Sequence, residues 1–363
     1  MAFSVQKLFC RHAGILRFLN NDLKHFVCAH ARLCGTTAQS ESASTADPYK
    51  SADSIDIEKL FISDKVQQYL KNLTGMNIEK IFAPVKTPLN APRYEFMTEE
   101  QVQEAMNKAL KRAEEKIQMP PVLRERKPCE KVLAKDPEIQ GFDTSTYIFT
   151  DISYGYSDKE RIIVVRDPNG LLRTANWEER EQMLNTYFTT KGREFYMPKM
   201  FQPEYLQSVL EKQLYAFVLD RACMQFEPDS PDYIRVTHAT YDHINTNRKF
   251  ADFRSTRHFG PLVFYLVIQN NIDNLLIDMI LREMIADASN LLQLYYHIHK
   301  KPYVESELTD LGSEEEVLKL IRVFVEKDSR TRSHLELALQ TYQESKSRKQ
   351  EVQEGLSAAR GLQ

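Results

Sequence analysis

Residues 260–299 read GPLVFYLVIQNNIDNLLIDMILREMIADASNLLQLYYHIH. Leu262–Ile268 is an uninterrupted apolar run, and beyond it Ile272, Leu276, Met279, Ile280, Met284, Ala288, Leu291, Leu292, Tyr295 and Ile298 recur at three- and four-residue intervals. Residues at that spacing share one helix face. The stretch is therefore read as a buried segment followed by helix with a long stripe to bury. The same period continues on both sides. Leu206, Leu210, Leu214 and Phe217 mark one stretch upstream, and Ser230-Pro231 opens another, since proline's fixed φ suits a first helical turn. Downstream, Ser313 and Glu316 make a capping box, and Leu335, Ala338, Leu339 and Tyr342 mark a last packed helix. Residues 201–345 are thus expected to form an irregular helical bundle with short connections. No repeat of constant period runs through them, which argues against a regular solenoid. The polar residues 346–363 are expected to form a frayed tail.

N-terminal to the bundle the period changes. In residues 141–200, Tyr147-Ile148-Phe149 and Ile162–Val165 are short β-branched and aromatic runs. Asp167-Pro168-Asn169-Gly170 is a tight-turn signal between Ile162–Arg166 and Leu171–Thr174. A small antiparallel sheet is expected, then a helix from Trp177 to about Phe188 capped by Asn176. In residues 63–140, Ser63 and Gly75 bound a helix with Val66, Tyr69, Leu70 and Leu73 on one face. Pro84, Pro88 and Pro92 predict an extended strap. Thr98 and Gln101 form a capping box for a helix whose apolar face is Val102, Ala105, Met106, Ala109, Leu110, Ala113 and Ile117. The fold expected is α+β, predominantly α-helical: a small antiparallel β-hairpin or sheet followed by an irregular helical bundle, with an extended N-terminal strap.

Residues 1–40 differ from the rest. Lys7, Arg11, Arg17, Lys24 and Arg32 face a single acid, Asp22. On a helix, Val5, Leu8, Phe9, Ile15, Leu16 and Leu19 fall opposite Lys7 and Arg11. A basic amphipathic helix followed by a Ser/Thr-rich stretch is the pattern of a mitochondrial presequence, with cleavage expected between Arg32 and Ser44 and a flexible linker over 41–62. The whole chain carries −3 and the first forty residues +5 − 1 = +4, leaving −7 for the remainder. A mildly acidic mature chain has no general affinity for nucleic acid, so any RNA contact must come from local basic clusters. The longest apolar run, Gly260–Ile268, is far short of the roughly 20 residues a membrane helix needs, so no membrane contact is expected. Cys129 and Cys223 lie far apart, forming neither a disulfide framework nor a cysteine-based zinc site.

Signals for chemistry are scarce. There is no glycine-rich phosphate loop with its lysine, no G-x-S-x-G elbow and no H-E-x-x-H helix. His238 with His243, and His297 with His299, diverge on a helix and read as structural. No enzyme activity, metal, cofactor or small-molecule substrate is expected. The informative charges are basic clusters: Arg161, Arg166 and Arg173 on or beside the hairpin; Lys191, Arg193 and Lys199 around Phe195 and Tyr196; Arg248, Lys249, Arg254 and Arg257 around Phe250, Phe253 and Phe259; and Lys346, Arg348 and Lys349 in the tail. Such side chains neutralise phosphates, and aromatics can stack exposed bases. Interspersed acids leave open the alternative of a solvated face laced with internal ion pairs.

The strings QMPPVL (118–123), FTDISY (149–154), RIIVVRDPNGLLRTANWEERE (161–181), QFEPDSPDYIRV (225–236), RSTRHFG (254–260) and LQTYQE (339–344) resemble the mitochondrion-specific small-subunit ribosomal protein family numbered twenty-two. The similarity runs from about residue 60 to 345. It implies a structural component of the mitochondrial small ribosomal subunit, located in the matrix and contacting small-subunit rRNA and neighbouring ribosomal proteins. It brings no catalytic or metal residues. It makes Arg161, Arg166, Arg173, Arg254 and Arg257 the stronger contact candidates, so reversing Arg254 and Arg257 to Glu is expected to weaken incorporation into the subunit. A soluble matrix adaptor binding only proteins through its helical bundle is the competing expectation.

Overall fold

The computed structural model describes residues 56–83, 94–141, 144–300 and 313–359. The presequence, most of the linker and the three strap prolines lie outside them. Residues 57–62, expected within the linker, instead form α1 (Ile57–Ile62), which Asp56 caps and which buries Ile57 and Phe61. After it, α2 (Asp64–Thr74) starts and stops where Ser63 and Gly75 predict and buries Val66, Leu70 and Leu73. The short α3 (Ile78–Ile81) follows. Then comes α4 (Glu99–Ile117), whose capping box is formed: Thr98 Oγ accepts from the Gln101 amide and Gln101 Oε1 accepts from the Thr98 amide. Of the apolar α4 face only Ala113 is buried; Val102 and Met106 are 50% and 52% exposed.

Residues 118–131 have no regular structure and cross from the helices to the sheet. The crossing is pinned at both ends. Met119 seats on Gly260, where a Cβ would stand 2.0 Å from its sulfur. Trp177 Nε1 donates to Lys127 O at 2.7 Å, and Thr174 Oγ1 donates to Cys129 O at 2.6 Å.

Among the described residues the strands are β1 (Val132–Lys135), β2 (Tyr147–Thr150), β3 (Ile163–Arg166) and β4 (Leu171–Thr174), in one antiparallel sheet of order β1-β4-β3-β2. The expected Asp-Pro-Asn-Gly turn joins β3 to β4. Its Gly170 has φ 73°, and a Cβ there would stand 2.0 Å from Asp136 O. Strand β1 lies outside the sequence expectation; every residue in it is exposed, so it lacks the alternation that marks a half-buried strand. Partner residues share a face of an antiparallel pair. Ile148, Ile163 and Val165 therefore point one way, onto Met183 and Leu184 of α5 (Trp177–Tyr187), while Tyr147, Phe149, Val164 and Arg166 point the other. Asn176 and Glu179 complete the α5 capping box.

The remaining helices are α6 (Pro203–Glu211), α7 (Tyr215–Gln225), α8 (Pro231–Asn247), α9 (Phe259–Ile268), α10 (Asp273–Leu281), α11 (Ile285–His299), α12 (Glu314–Lys327) and α13 (Arg332–Ala359). They share a continuous core with α1 and α2, and α9 lies inside it with Phe259–Val267 wholly buried. Helix α9 packs against α2, α8 and α11. Three expectations are corrected here. The stripe from Leu206 to Phe217 is two helices, broken at Gln213 (φ 58°), which leaves Leu214 and Phe217 exposed. The stripe from Ile272 to Ile298 is also two, broken at Glu283 (φ 60°). There the Met284 amide donates to Met279 O and the Glu283 amide to Ile280 O, the paired bonds of a left-handed helix stop. Finally, α13 runs on to Ala359, so the tail is helical well past Ser345; Lys346 and Lys349 hold it to Glu314 and Glu283 at 2.7 and 2.5 Å. Asp273 caps the start of α13: one carboxylate oxygen accepts from the Arg330 and Thr331 amides and from the Ser329 and Thr331 hydroxyls.

Candidate RNA- and protein-contact surface

The ten basic candidates divide by what their charge meets. Arg173, on β4, lies between Asp167 and Glu179, with Nε to Asp167 Oδ2 at 3.0 Å and its terminal nitrogens to the Glu179 carboxylate at 2.8 and 2.9 Å. Its hydrogen bond to Glu179, with that to Asp167, pushes the guanidinium further up, and Arg173 in turn holds Glu179 below the usual carboxylate range. Arg161 is buried, stacked 3.5 Å from the Phe188 ring centre and donating to Asp151 O and Ser153 O. Arg193 pairs with Glu227 at 2.6 Å. Arg254 pairs with Asp287 and reaches Met284 Sδ at 2.8 Å. Arg257 donates from Nε and a terminal nitrogen to Asp220 Oδ1 at 2.9 and 2.6 Å. These five arginines tie one segment of the chain to another.

The other five candidates pair with no described carboxylate. Lys191 and Lys199 are exposed on the segment between α5 and α6, and Arg248 is exposed at the end of α8. Lys249 is half-buried beside it, and Arg166 is half-buried on β3 with its Nε lacking a hydrogen-bond partner. Phe195 and Tyr196 are exposed near Lys191 in sequence, ring centres 4.9 Å apart and edge to face. Phe250, Phe253 and Phe259 are core residues and offer no face for stacking.

Sequence reading missed several of the side chains that shape this surface. Arg180 is buried and donates to the carbonyls of Asp158, Lys159 and Arg161, fastening the loop before β3 to α5. Arg221 holds the 190–196 segment through Gly192 O and Glu194, and Gln225 exchanges two hydrogen bonds with the Glu194 backbone. Nothing local marks either role, because their partners lie 19–31 residues away.

A buried polar knot sits beneath Arg257. His258 is 2% exposed, and its Nε2 lies 2.8 Å from Asp220 Oδ1. Burial pushes His258 below its ordinary value despite the carboxylate. Burial alone would raise Asp220, but hydrogen bonds and charge from His258 and Arg257 outweigh it and hold the carboxyl low. Among the described residues no three His, Cys, Asp or Glu side chains converge as a metal site. The described arrangement offers hydrogen-bond donors, positive charge and exposed apolar side chains, which suit docking.

A family model described as Mitochondrial 28S ribosomal protein S22 matches residues 59–300, a span that includes α1 from Lys59 onward, the sheet, all ten basic candidates and the core as far as α11. Over 313 residues the chain is 41% identical to the small ribosomal subunit protein mS22 of Mus musculus, covering 86% of this chain and 84% of that protein. Over 285 residues it is 42% identical to the Bos taurus protein of the same name, covering 78% and 79%. With similarity of this extent running through the buried core and the surface it carries, the chain belongs to the mitochondrial 28S ribosomal protein S22 family.

Proposed function

We propose that this structural component of the mitochondrial small ribosomal subunit works in the matrix as a brace, contacting small-subunit rRNA with a few free cations and neighbouring ribosomal proteins with apolar surface. Its role is architectural, without catalysis. The observation that carries the reading is the division of charge within the family-matched span. Arg161, Arg173, Arg193, Arg254 and Arg257 are spent on internal pairs, while Lys191, Lys199 and Arg248 stand exposed without a described acid. Free lysine and arginine gain most from a phosphate, since no internal pair must be broken first. Arg166 and Lys249 join this group from half-buried positions.

The five tied arginines serve the same surface by fixing the loops that present it. Reversing Arg254 and Arg257 therefore breaks the pairs to Asp287 and Asp220, and any loss of incorporation follows from a weakened fold. The discriminating variant is Lys191→Glu/Lys199→Glu/Arg248→Glu. It is expected to melt within a few degrees of wild type, yet to be depleted from small subunits several-fold at low salt, with the difference from wild type narrowing as salt rises. Normal incorporation would remove these residues from the interface.

The exposed Val102 and Met106 of α4 favour protein neighbours as well, which keeps in view an adaptor that binds proteins only. The two readings differ in whether the association needs RNA.

A further inference from the structure

The outward face of the sheet plays no part in the packing described above. Helix α5 covers one side; on the other, Tyr147 and Phe149 project from the edge strand β2 and are 49% and 54% exposed. They are alternate residues of one strand, so their rings stand on the same face about 7 Å apart. Arg166 is the cross-strand partner of Tyr147, and Val164 that of Phe149. Leu172 and Thr174 continue the two rows onto β4.

Charge on the two faces is unequal. The acids of the inner side, Asp167 and Glu179, are taken up by Arg173. On the outer side Arg166 is half-buried and pairs with no described carboxylate. Lys131, just before the edge strand β1, is exposed on this side and pairs with no described carboxylate. Asp151 follows β2 directly, and its carboxylate accepts from the Ser153 amide at 2.9 Å.

We propose that this sheet face binds unpaired RNA, with Tyr147 and Phe149 each stacking a base and Arg166 and Lys131 holding the flanking phosphates. The inference rests on the proposed role in the ribosomal subunit and adds a second, distinct mode of RNA contact to the free cations. Stacking needs bases that are out of a duplex, because a paired helix hides their faces. An apolar protein neighbour would cover the rings but leave the Arg166 and Lys131 charges without a counter-charge; a phosphate supplies one. Unpaired RNA is therefore the occupant that satisfies both halves of the face.

The test places p-benzoylphenylalanine at position 147 of the full chain, isolates mitochondrial small subunits carrying it, and irradiates them. The expected photoproduct joins position 147 to small-subunit rRNA and disappears with ribonuclease. A second arm measures binding of a fluorescent 12-nucleotide single-stranded RNA to the full chain. Tyr147→Ala and Phe149→Ala should each weaken it about tenfold, Tyr147→Phe should not, and a duplex of equal length should bind less well than the single strand. Thermal melting of each variant confirms that the exposed ring, and not the fold, was lost. Wild type present in the subunit with position 147 joined only to protein, or RNA affinity unmoved by the alanines, would overturn this inference and leave the proposed function standing. Wild type absent from the subunit would overturn both.

Discussion

Arg248 occupies a left-handed turn (φ 53°) at the end of α8, where the Lys249 amide donates to Ile244 O and the Arg248 amide to Asn245 O. Glycine is the residue such a turn favours; an L side chain there costs about 1 kcal/mol. The guanidinium is exposed and meets no described carboxylate, so nothing described within the chain compensates that cost. A residue retained against local preference is accounted for by what it contacts outside the chain. Arg248→Gly is accordingly expected to raise stability by about 1 kcal/mol in a denaturant titration while lowering incorporation into the small subunit. A variant that is both more stable and normally incorporated would show that Arg248 has no external role. The His258–Asp220 knot makes a different prediction at the same scale. Burial lowers His258, so as pH falls through its unfolded value of 6.5 the unfolded chain takes up a proton more readily than the folded chain does. Asp220, held low, adds a further loss below its unfolded value of 3.8. Both signs agree: stability falls with acidification, first near pH 6.5. Melting temperatures recorded from pH 7.5 to 5.5 should decline, and in His258→Gln the decline over that interval should shrink.

Helix α4 is the element whose surface least fits a free-standing chain. A complete capping box starts it and 19 residues form it, yet only Ala113 is buried. Substituting Val102 and Met106 by Asp should change stability by no more than about 0.5 kcal/mol, as for exposed sites, and should reduce incorporation if this face seats a neighbouring protein. Sedimentation of the variant with the small subunit is the measurement. The capping boxes at Thr98/Gln101 and Ser313/Glu316, and Asn176 as a cap, were legible because such partners lie within one turn of sequence, although Glu179 completing a box with Asn176 was not foreseen. The β3–β4 hairpin was legible because Asp167–Gly170 is a turn that its own residues specify. The breaks at Gln213 and Glu283 were not, since both are left-handed stops built without glycine in the middle of an unbroken apolar period. Strand β1 was invisible because its pairing to β4, rather than burial, makes it a strand. Of the candidate surface, only the clustering of charge could be read from the sequence. The basic clusters could be picked out by composition, but which cations are free depended on partners such as Asp287 for Arg254 and Asp220 for Arg257, 33 and 37 residues away.

At the scale of the whole molecule, the small core under the sheet and the large helical core are linked by residues 118–131, with Met119 against Gly260 at one end and Cys129 and Lys131 bonded to β4 and its flank at the other. Two strings that carried the family resemblance, QMPPVL and RSTRHFG, thus meet in space at that junction. Residues 41–363 are acidic overall, at −3 − 4 = −7, and most of the candidate arginines are already paired. A chain of that kind cannot coat RNA by bulk charge; it braces a particle through protein contacts and a limited number of phosphate or base contacts. The most direct measurement is sucrose-gradient sedimentation of a mitochondrial lysate with and without ribonuclease, following this chain alongside small-subunit rRNA. The chain is expected to travel with the small subunit and to leave those fractions once the RNA is digested. A chain found near the top of the untreated gradient, or one in a large complex that survives ribonuclease unchanged, would contradict the account.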